Sequence, residues 1–331
     1  MKITNMKVNL LITGGAGFIG SNLVERFLSD DRVGLVRVLD DLSNGLYENI
    51  AEFEFHPKFE FIEGDICDYD TCRRAMKGIH KVTHQAALGS VPRSIENPMR
   101  TNEVNVGGTV NVLHAAKEEG ADRVVLAFSS STYGDSPDLP KVEHRIGNPL
   151  SPYAVSKLAA EHYAQVFCRT YGLHFVGLRY FNIFGPKQNP DNPYAAVIPL
   201  FCKAFIENQP PKINGDGTHS RDFTFVENVL HANDLALFTE KKEALDEVYN
   251  VACGDQVTLN EMVDMLRQIT GKNIQPIHGP ERLGDVKHSN ADIAKIRTKL
   301  GYEPKVFMFE GMKQVYEWNK KVHEERQMQQ V

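Results

Sequence analysis

The chain has 331 residues, 42% of them hydrophobic, and 37 Lys and Arg against 43 Asp and Glu give it a formal net charge of −6. That size and apolar content fill one large domain or two intimately joined ones, and the interleaved charges leave no basic stripe for nucleic acid. No apolar run is long enough to cross a bilayer and no charged-then-apolar leader opens the chain, so a cytoplasmic protein with small-molecule partners is expected. Cys67, Cys72, Cys168, Cys202 and Cys253 are odd in number and scattered, and no C-x-x-C or helical H-x-x-x-H pair is present, so reduced thiols and no metal are expected.

In chain order, Val8–Thr13 reads as a strand that breaks into a glycine-spaced turn with Gly14, Gly17 and Gly20, and Gly20–Leu28 reads as the following helix. Glycines at this spacing let the backbone turn tightly, approach a pyrophosphate and open a helix whose first amides face the phosphates. Val36–Leu39 is a second strand. It closes on Asp40, twenty residues past Gly20, where a carboxylate can accept both ribose hydroxyls. Asp40 and Asp41 would repel a 2′-phosphate, so the pattern points to NAD rather than NADP.

Phe59–Glu63, Lys81–Gln85, Arg123–Ser130 and Phe175–Arg179 are further strands, and Asp70–Met76, Asn105–Glu119 and Pro152–Thr170 carry apolar residues at helical spacing. The alternation predicts an α/β fold, a Rossmann-type doubly wound parallel sheet with ligands beyond the carboxyl ends of its strands. Pro186–Pro193 leaves that pattern. After it come Tyr194–Asn208, a turn at Asn214–Gly217, a strand-like Asp222–Val226, a helix over about Thr258–Thr270 and a loop at Glu281–Asp285, while the charged tail after Trp318 reads as a helix end. The predicted organisation is a dinucleotide-binding domain of residues 1–182 plus about 222–241, interleaved with a smaller substrate domain of about 183–221 plus 242–331.

Tyr153 and Lys157 follow Pro152, a favourable helix start, and their i, i+4 separation places both on one face. A phenol of pKa about 10 needs about 4 kcal/mol of preferential phenolate stabilisation to act as a base near pH 7, which an ammonium and a nicotinamide cation can supply. Ser129, Ser130 and Ser131 follow the fifth strand, so three hydroxyls reach the same sheet edge. A hydroxyl both donates and accepts, which suits an oxygen cycling between alcohol and ketone; a serine-capped turn is the plainer reading.

With these residues assembled, the chain resembles the extended short-chain dehydrogenase/reductase family over nearly its whole length. T-G-x-x-G-x-x-G stands at Thr13–Gly20, the acidic ribose residue at Asp40, the adenine-side turn at Gly64-Asp65-Ile66, N-x-x-G-T at Asn105–Thr109, Y-x-x-x-K at Tyr153 and Lys157, and R-Y-F-N at Arg179–Asn182. The family serine falls on Ser129, with Ser130 and Ser131 open as alternatives. The resemblance implies cofactor contacts from Gly14, Gly17, Phe18, Ile19, Gly20, Asp40 and Asn44, then from Asp65, Ile66, Gln85, Ala86, Ala87 and Asn105, and finally from Tyr153, Lys157 and Tyr180.

Within the family, His84–Ser94, Ser129–Gly134, Tyr194–Pro199, Ser220–Phe223 and Gly284–Ser289 are most similar to UDP-hexose 4-epimerases, in particular those acting on UDP-N-acetylglucosamine for surface polysaccharide. That implies a substrate site of Gly89, Ser90, Ser129, Ser130, Ser131 and Tyr153 at the sugar. Asn182, Gln188, Ala195, Ala196 and Val197 continue it, Arg221 and Arg282 neutralise the diphosphate, Asp285 meets the uridine ribose, and Ser289 leaves room for an N-acetyl group. Surface ion pairs are the alternative for both arginines. Tyr153 is implied as the base at the 4-hydroxyl, Ser129 as its relay, and Lys157 as the group that holds the nicotinamide ribose and depresses the tyrosine. A homodimer is implied, its contact built from apolar residues of Asn105–Glu119 and Pro152–Thr170.

Three other readings stand beside this one. A 4,6-dehydratase needs Asp and Glu where Ser130 and Ser131 stand. A uronic-acid epimerase or decarboxylase could use Arg93 to meet a carboxylate. An NAD-sensing protein without catalysis would not need Tyr153 or Lys157.

Overall fold

The computed structural model describes residues 7–189, 196–281 and 287–328. Seven parallel strands form the central sheet: β1 (Val8–Thr13), β2 (Val33–Asp40), β3 (Phe59–Glu63), β4 (Lys81–His84), β5 (Arg123–Ser129), β6 (His174–Tyr180) and β7 (Glu247–Val251), in the spatial order β7-β6-β5-β4-β1-β2-β3. The order reverses between β1 and β4, the switch point at which doubly wound sheets open a crevice for ligands. All six strands expected from the sequence are present, within a few residues of their expected ends.

One face of the sheet is covered by α1 (Phe18–Leu28), and the other by α2 (Tyr69–Met76), α5 (Thr109–Glu118) and α6 (Pro152–Tyr171), with the short α3 (Val91–Glu96) and α4 (Pro98–Asn102) against α6. The stretch expected as one helix from Asn105 instead enters through a π-helical segment, Glu103–Gly108. It carries Asn105. α6 starts where the sequence dictates, Pro152 following Ser151, whose hydroxyl accepts Ala154 N–H, and it stops at left-handed Gly172.

Beyond β6 come α7 (Val197–Ile206), α8 (Val226–Phe238), α9 (Leu259–Thr270), α10 (Ala294–Leu300) and α11 (Met308–Met328). Three two-stranded pairs join Ile183–Phe184 to Thr224–Phe225, Ser220–Arg221 to Val257–Thr258, and Lys212–Asn214 to Ile277–Gly279. The strand expected over Asp222–Val226 shrinks to Thr224–Phe225 and turns at once into α8, which packs on the central sheet and on α1. The edge strand β7 comes from residues past 242, later in the chain than the six strands expected from the sequence. Asp222 fastens these segments: Oδ1 accepts Cys253 N–H at 3.0 Å, while Oδ2 accepts those of Gly254 at 3.0 Å and Ala291 at 3.2 Å.

Candidate active site

A cleft of about 300 Å³ opens at the carboxyl ends of β1, β2 and β4, lined by Gly14, Gly17, Phe18, Ile19, Gly20, Asp40, Asn44, Asp65, Ile66, Gln85, Ala86 and Ala87 among others. Gly14 is left-handed at φ +70°, and a Cβ on Gly20 would lie 2.0 Å from Gly14 O, so the turn closes only with glycine at both. α1 begins at Phe18 with no side-chain cap on its first amides. Those donors face the cleft and suit a pyrophosphate. Asp40 is buried, and its two oxygens accept Ala16 and Leu42 N–H, each at 2.9 Å. Burial nonetheless raises its carboxyl, with nearby Asp41 adding to the rise; a pair of ribose hydroxyls is the partner such a carboxylate lacks. These features fit a dinucleotide. Asp65 borders the same cleft with its carboxylate held by Arg100 at 2.9 Å.

Asn105 sits in the π-helical segment Glu103–Gly108. It lines none of the three cavities described here; its amide accepts Leu88 N–H at 2.8 Å and donates to Leu88 O at 3.1 Å and Ser156 Oγ at 3.0 Å, bracing the loop after β4 against α6.

A larger cavity of about 980 Å³ adjoins the cleft, and Gly89 borders both. Ser129, Ser130, Ser131, Tyr153, Lys157, Tyr180, Asn182, Arg221 and Ser289 all face it. The structure thus joins the fifth-strand hydroxyls, the Tyr-Lys pair and residues more than a hundred positions later. Ser131 Oγ donates to Ser129 Oγ at 2.9 Å, and Ser129 lines the same cavity as Tyr153. Burial raises the Tyr153 phenol and the Ser129 bond opposes it. Lys157 stands one turn on from Tyr153 in α6. Its Nζ donates to Ala127 O at 2.9 Å, and burial brings it down to about 8 against the pull of Glu161.

Tyr180 is fixed from behind: its hydroxyl accepts from Asn233 at 2.9 Å and reaches Gln85 Oε1 at 3.3 Å. Asn182, at φ +39°, gives its amide to Asp222 O at 2.9 Å. Segment 287–289 runs beside Ser220–Arg221, with Ser220 N–H on Lys287 O at 3.0 Å and Ser289 N–H on Ser220 O at 3.1 Å, which is how Ser289 enters the cavity beside Arg221. Arg221 also borders a third cavity of about 280 Å³.

Ala196 and Val197 line that third cavity, which shares Asn182, Ile183 and Arg221 with the one holding Ser289 and Tyr153. Ser90 caps α3, accepting Arg93 N–H at 3.2 Å, and Gln188 gives its amide to Ile183 O at 3.2 Å; neither lines the three cavities described here. Ala195, Arg282 and Asp285 lie outside the described residues. Sequence reasoning missed Lys141 and Glu96 in the large cavity and Lys212, Asn214 and His219 in the third. Of these only His219 carried a signal, as the neighbour of the Ser220-Arg221 motif. Among the described residues, no group of three His, Cys, Asp or Glu can hold a metal, and no helix is long and apolar enough to cross a membrane.

A seven-stranded parallel sheet with a glycine cradle, an acidic second strand end and a Tyr-Lys pair over one crevice defines a Rossmann-type, dinucleotide-dependent enzyme. Residues 10–252 match the model of the NAD dependent epimerase/dehydratase family. A putative UDP-glucose 4-epimerase of Methanocaldococcus jannaschii is 37% identical over 313 residues, 94% of this chain and 98% of that protein. A solved UDP-N-acetylglucosamine 4-epimerase from Methanobrevibacter ruminantium M1, in complex with UDP-N-acetylmuramic acid, superposes with a TM-score of 0.90 at 36% identity, covering 96% of this chain and all of that one (100%). The UDP-glucuronic acid 4-epimerase from Bacillus cereus with UDP-glucuronic acid and NAD superposes at 0.88 with 31% identity, over 95% and 100% of the two chains. The chain belongs to the NAD dependent epimerase/dehydratase family, and it is an NAD-dependent UDP-sugar 4-epimerase.

Proposed function

We propose that the substrates are UDP-N-acetylglucosamine and UDP-N-acetylgalactosamine, interconverted in preference to UDP-glucose and UDP-galactose and supplied as surface polysaccharide precursors. The observation that carries this is Ser289 facing the same cavity as Tyr153. A small residue there leaves volume beside the sugar, and a bulky one would cost about 1–3 kcal/mol by overpacking. The uronate reading would rest on Arg93, whose guanidinium donates to Asn44 at 3.2 Å, a residue that lines the dinucleotide cleft.

In this reading the glycine turn and α1 amides hold the NAD pyrophosphate, Asp40 its ribose, and Lys157 the nicotinamide ribose. Bound NAD supplies hydride removal from the sugar C4 and hydride return. Tyr153, with Ser129 at its hydroxyl, takes the proton of the 4-hydroxyl as the ketone forms and returns it once the sugar has turned about its diphosphate. Arg221, which with Asn182 borders both the catalytic and the third cavity, is assigned to the diphosphate while the sugar turns. Arg282 and Asp285 are assigned to the diphosphate and the uridine ribose on the family resemblance alone.

We extend the dinucleotide-binding part to include β7. The homodimer contact we assign to α6, whose Val155, Tyr163, Val166 and Tyr171 are exposed, rather than to α5, whose apolar side chains point inward. The test of substrate is incubation with each UDP-sugar and resolution of the epimers. Higher kcat/KM for the acetylated pair supports the proposal, higher kcat/KM for UDP-galactose refutes it, and a preference for uronic acids restores the alternative.

A further inference from the structure

One buried ion pair behind the catalytic helix has no part in the steps above. Glu161 stands one turn past Lys157 on α6, and both are buried. Arg179, from β6, grips both carboxylate oxygens, Nε to Oε1 at 2.9 Å and Nη2 to Oε2 at 2.7 Å. Its Nη1 donates to Glu143 O at 2.9 Å, and its guanidinium carbon lies 5.0 Å from the Tyr133 ring centroid. Both oxygens of the carboxylate are therefore held by one guanidinium. Stability alone is a weak reason for such a pair, because well-packed apolar residues often serve a core equally well.

Lys157 is the group that gains. Its ammonium donates to Ala127 O, and among the described residues it has no carboxylate in contact. Tyr153 shares its helix, His84 on β4 is neutral, Tyr133 comes from the turn after β5, and Glu96 of α3 lines the same cavity. Other charges on the elements packed against α6 are engaged elsewhere: Arg100 with Asp65 and Glu103, Lys117 with Glu118, Arg123 with the carbonyls ending α8, and His174 with Asp246. Burial works against the charged lysine, and Glu161 is the charge that opposes it.

We propose that Glu161, clamped by Arg179, is a positioning residue of the epimerase site, its fixed negative charge keeping Lys157 in the ammonium form beside Tyr153. The inference rests on the role given to Lys157 above. The test is a titration of the Lys157 13Cε resonance, assigned by its loss in Lys157→Arg, alongside the pH profile of kcat. In Glu161→Gln/Arg179→Met, which removes both members of the ion pair, the midpoint falls by about one pH unit and the alkaline limb of kcat follows it. Glu161→Asp, which keeps the charge, retains the wild-type midpoint. An unmoved midpoint in the double variant overturns the proposal, as does an equal shift in Glu161→Asp; if the double variant does not fold, Glu161→Gln alone is read by the same criteria. An unmoved midpoint with inactive Tyr153→Phe sinks only this inference, whereas an active Tyr153→Phe sinks the catalytic assignment whatever the titration shows.

Discussion

Ser131 Oγ donates to Ser129 Oγ at 2.9 Å, and Ser131 N–H reaches the same oxygen at 3.2 Å. Ser129 thus accepts twice from Ser131, and it is the serine that opposes the rise of the Tyr153 phenol, which singles it out among three consecutive serines. Tyr153→Phe is expected to lower turnover at least about 100-fold, the usual contribution of a positioned proton-transfer group. Ser129→Ala follows closely, and Ser130→Ala costs far less. Steady-state kinetics on all three variants check the order; a Ser130→Ala defect larger than that of Ser129→Ala would reverse the assignment.

NAD is expected to copurify and to persist through many turnovers, since the reaction returns its hydride. The supernatant of denatured protein then shows its spectrum. Gly20→Ala, whose methyl would meet Gly14 O at 2.0 Å, is expected to lose it. Stoichiometric release of NADH, or dependence on NADP, would contradict this.

Ser289→Tyr is expected to abolish turnover of the N-acetylated sugars and to spare part of the UDP-glucose and UDP-galactose activity. Paired kcat/KM measurements on both substrate classes decide it. Equal losses on both would show that Ser289 does not border the 2-substituent.

His84 makes the fold acid-sensitive. Its Nδ1 meets Thr13 Oγ1 at 2.7 Å and its Nε2 meets Thr109 Oγ1 at 3.0 Å. Burial, helped by the Lys157 charge, pushes it down to about 3 from an ordinary 6.5. Between those values the unfolded chain binds the additional proton, so stability is lost as pH falls from about 6.5 toward 3, by about 2–3 kcal/mol at pH 4.5. Urea titrations at pH 7 and 4.5 measure the loss. His84→Gln should flatten it, and a slope equal to that of the wild type would assign the sensitivity elsewhere.

Asp222→Ala is expected to destabilise by at least about 3 kcal/mol, since two buried N–H groups and a third, partly buried one lose their acceptor. Chemical denaturation reads the cost. A loss under about 1 kcal/mol would mean that the segments around Cys253 and Ala291 are held by other contacts.

The sheet and its ligand edge were legible because β-branched runs and glycine punctuation report local geometry, and Gly14, Asp40, Ser129 and Tyr153 each follow a recognisable strand or cap. α8 was not. Its buried Asn228 and Asn233 bond Val306 O, Tyr180 and Thr83, so polar residues sit where an amphipathic pattern expects apolar ones. Glu247–Val251 was hidden for another reason: a five-residue edge strand declares itself only through its partner, β6. Asn105 and Ser90 sit in the right motifs, yet whether a polar side chain faces a ligand or braces backbone depends on tertiary neighbours that a motif does not specify.

The late arrival of β7 has a consequence for how the chain can be divided. Its register on β6 pairs Glu247 with Val176 and Val251 with Tyr180, so the strand that carries Tyr180 finds its outer neighbour only after some seventy residues of intervening chain. A fragment ending near residue 241 would retain every glycine of the cofactor turn and still leave β6 as a bare, apolar edge. Unpaired edges of that kind recruit other chains. Cofactor retention and freedom from aggregation are therefore tied to the same late segment, and a minimal NAD-binding fragment of this enzyme has to extend through Val251.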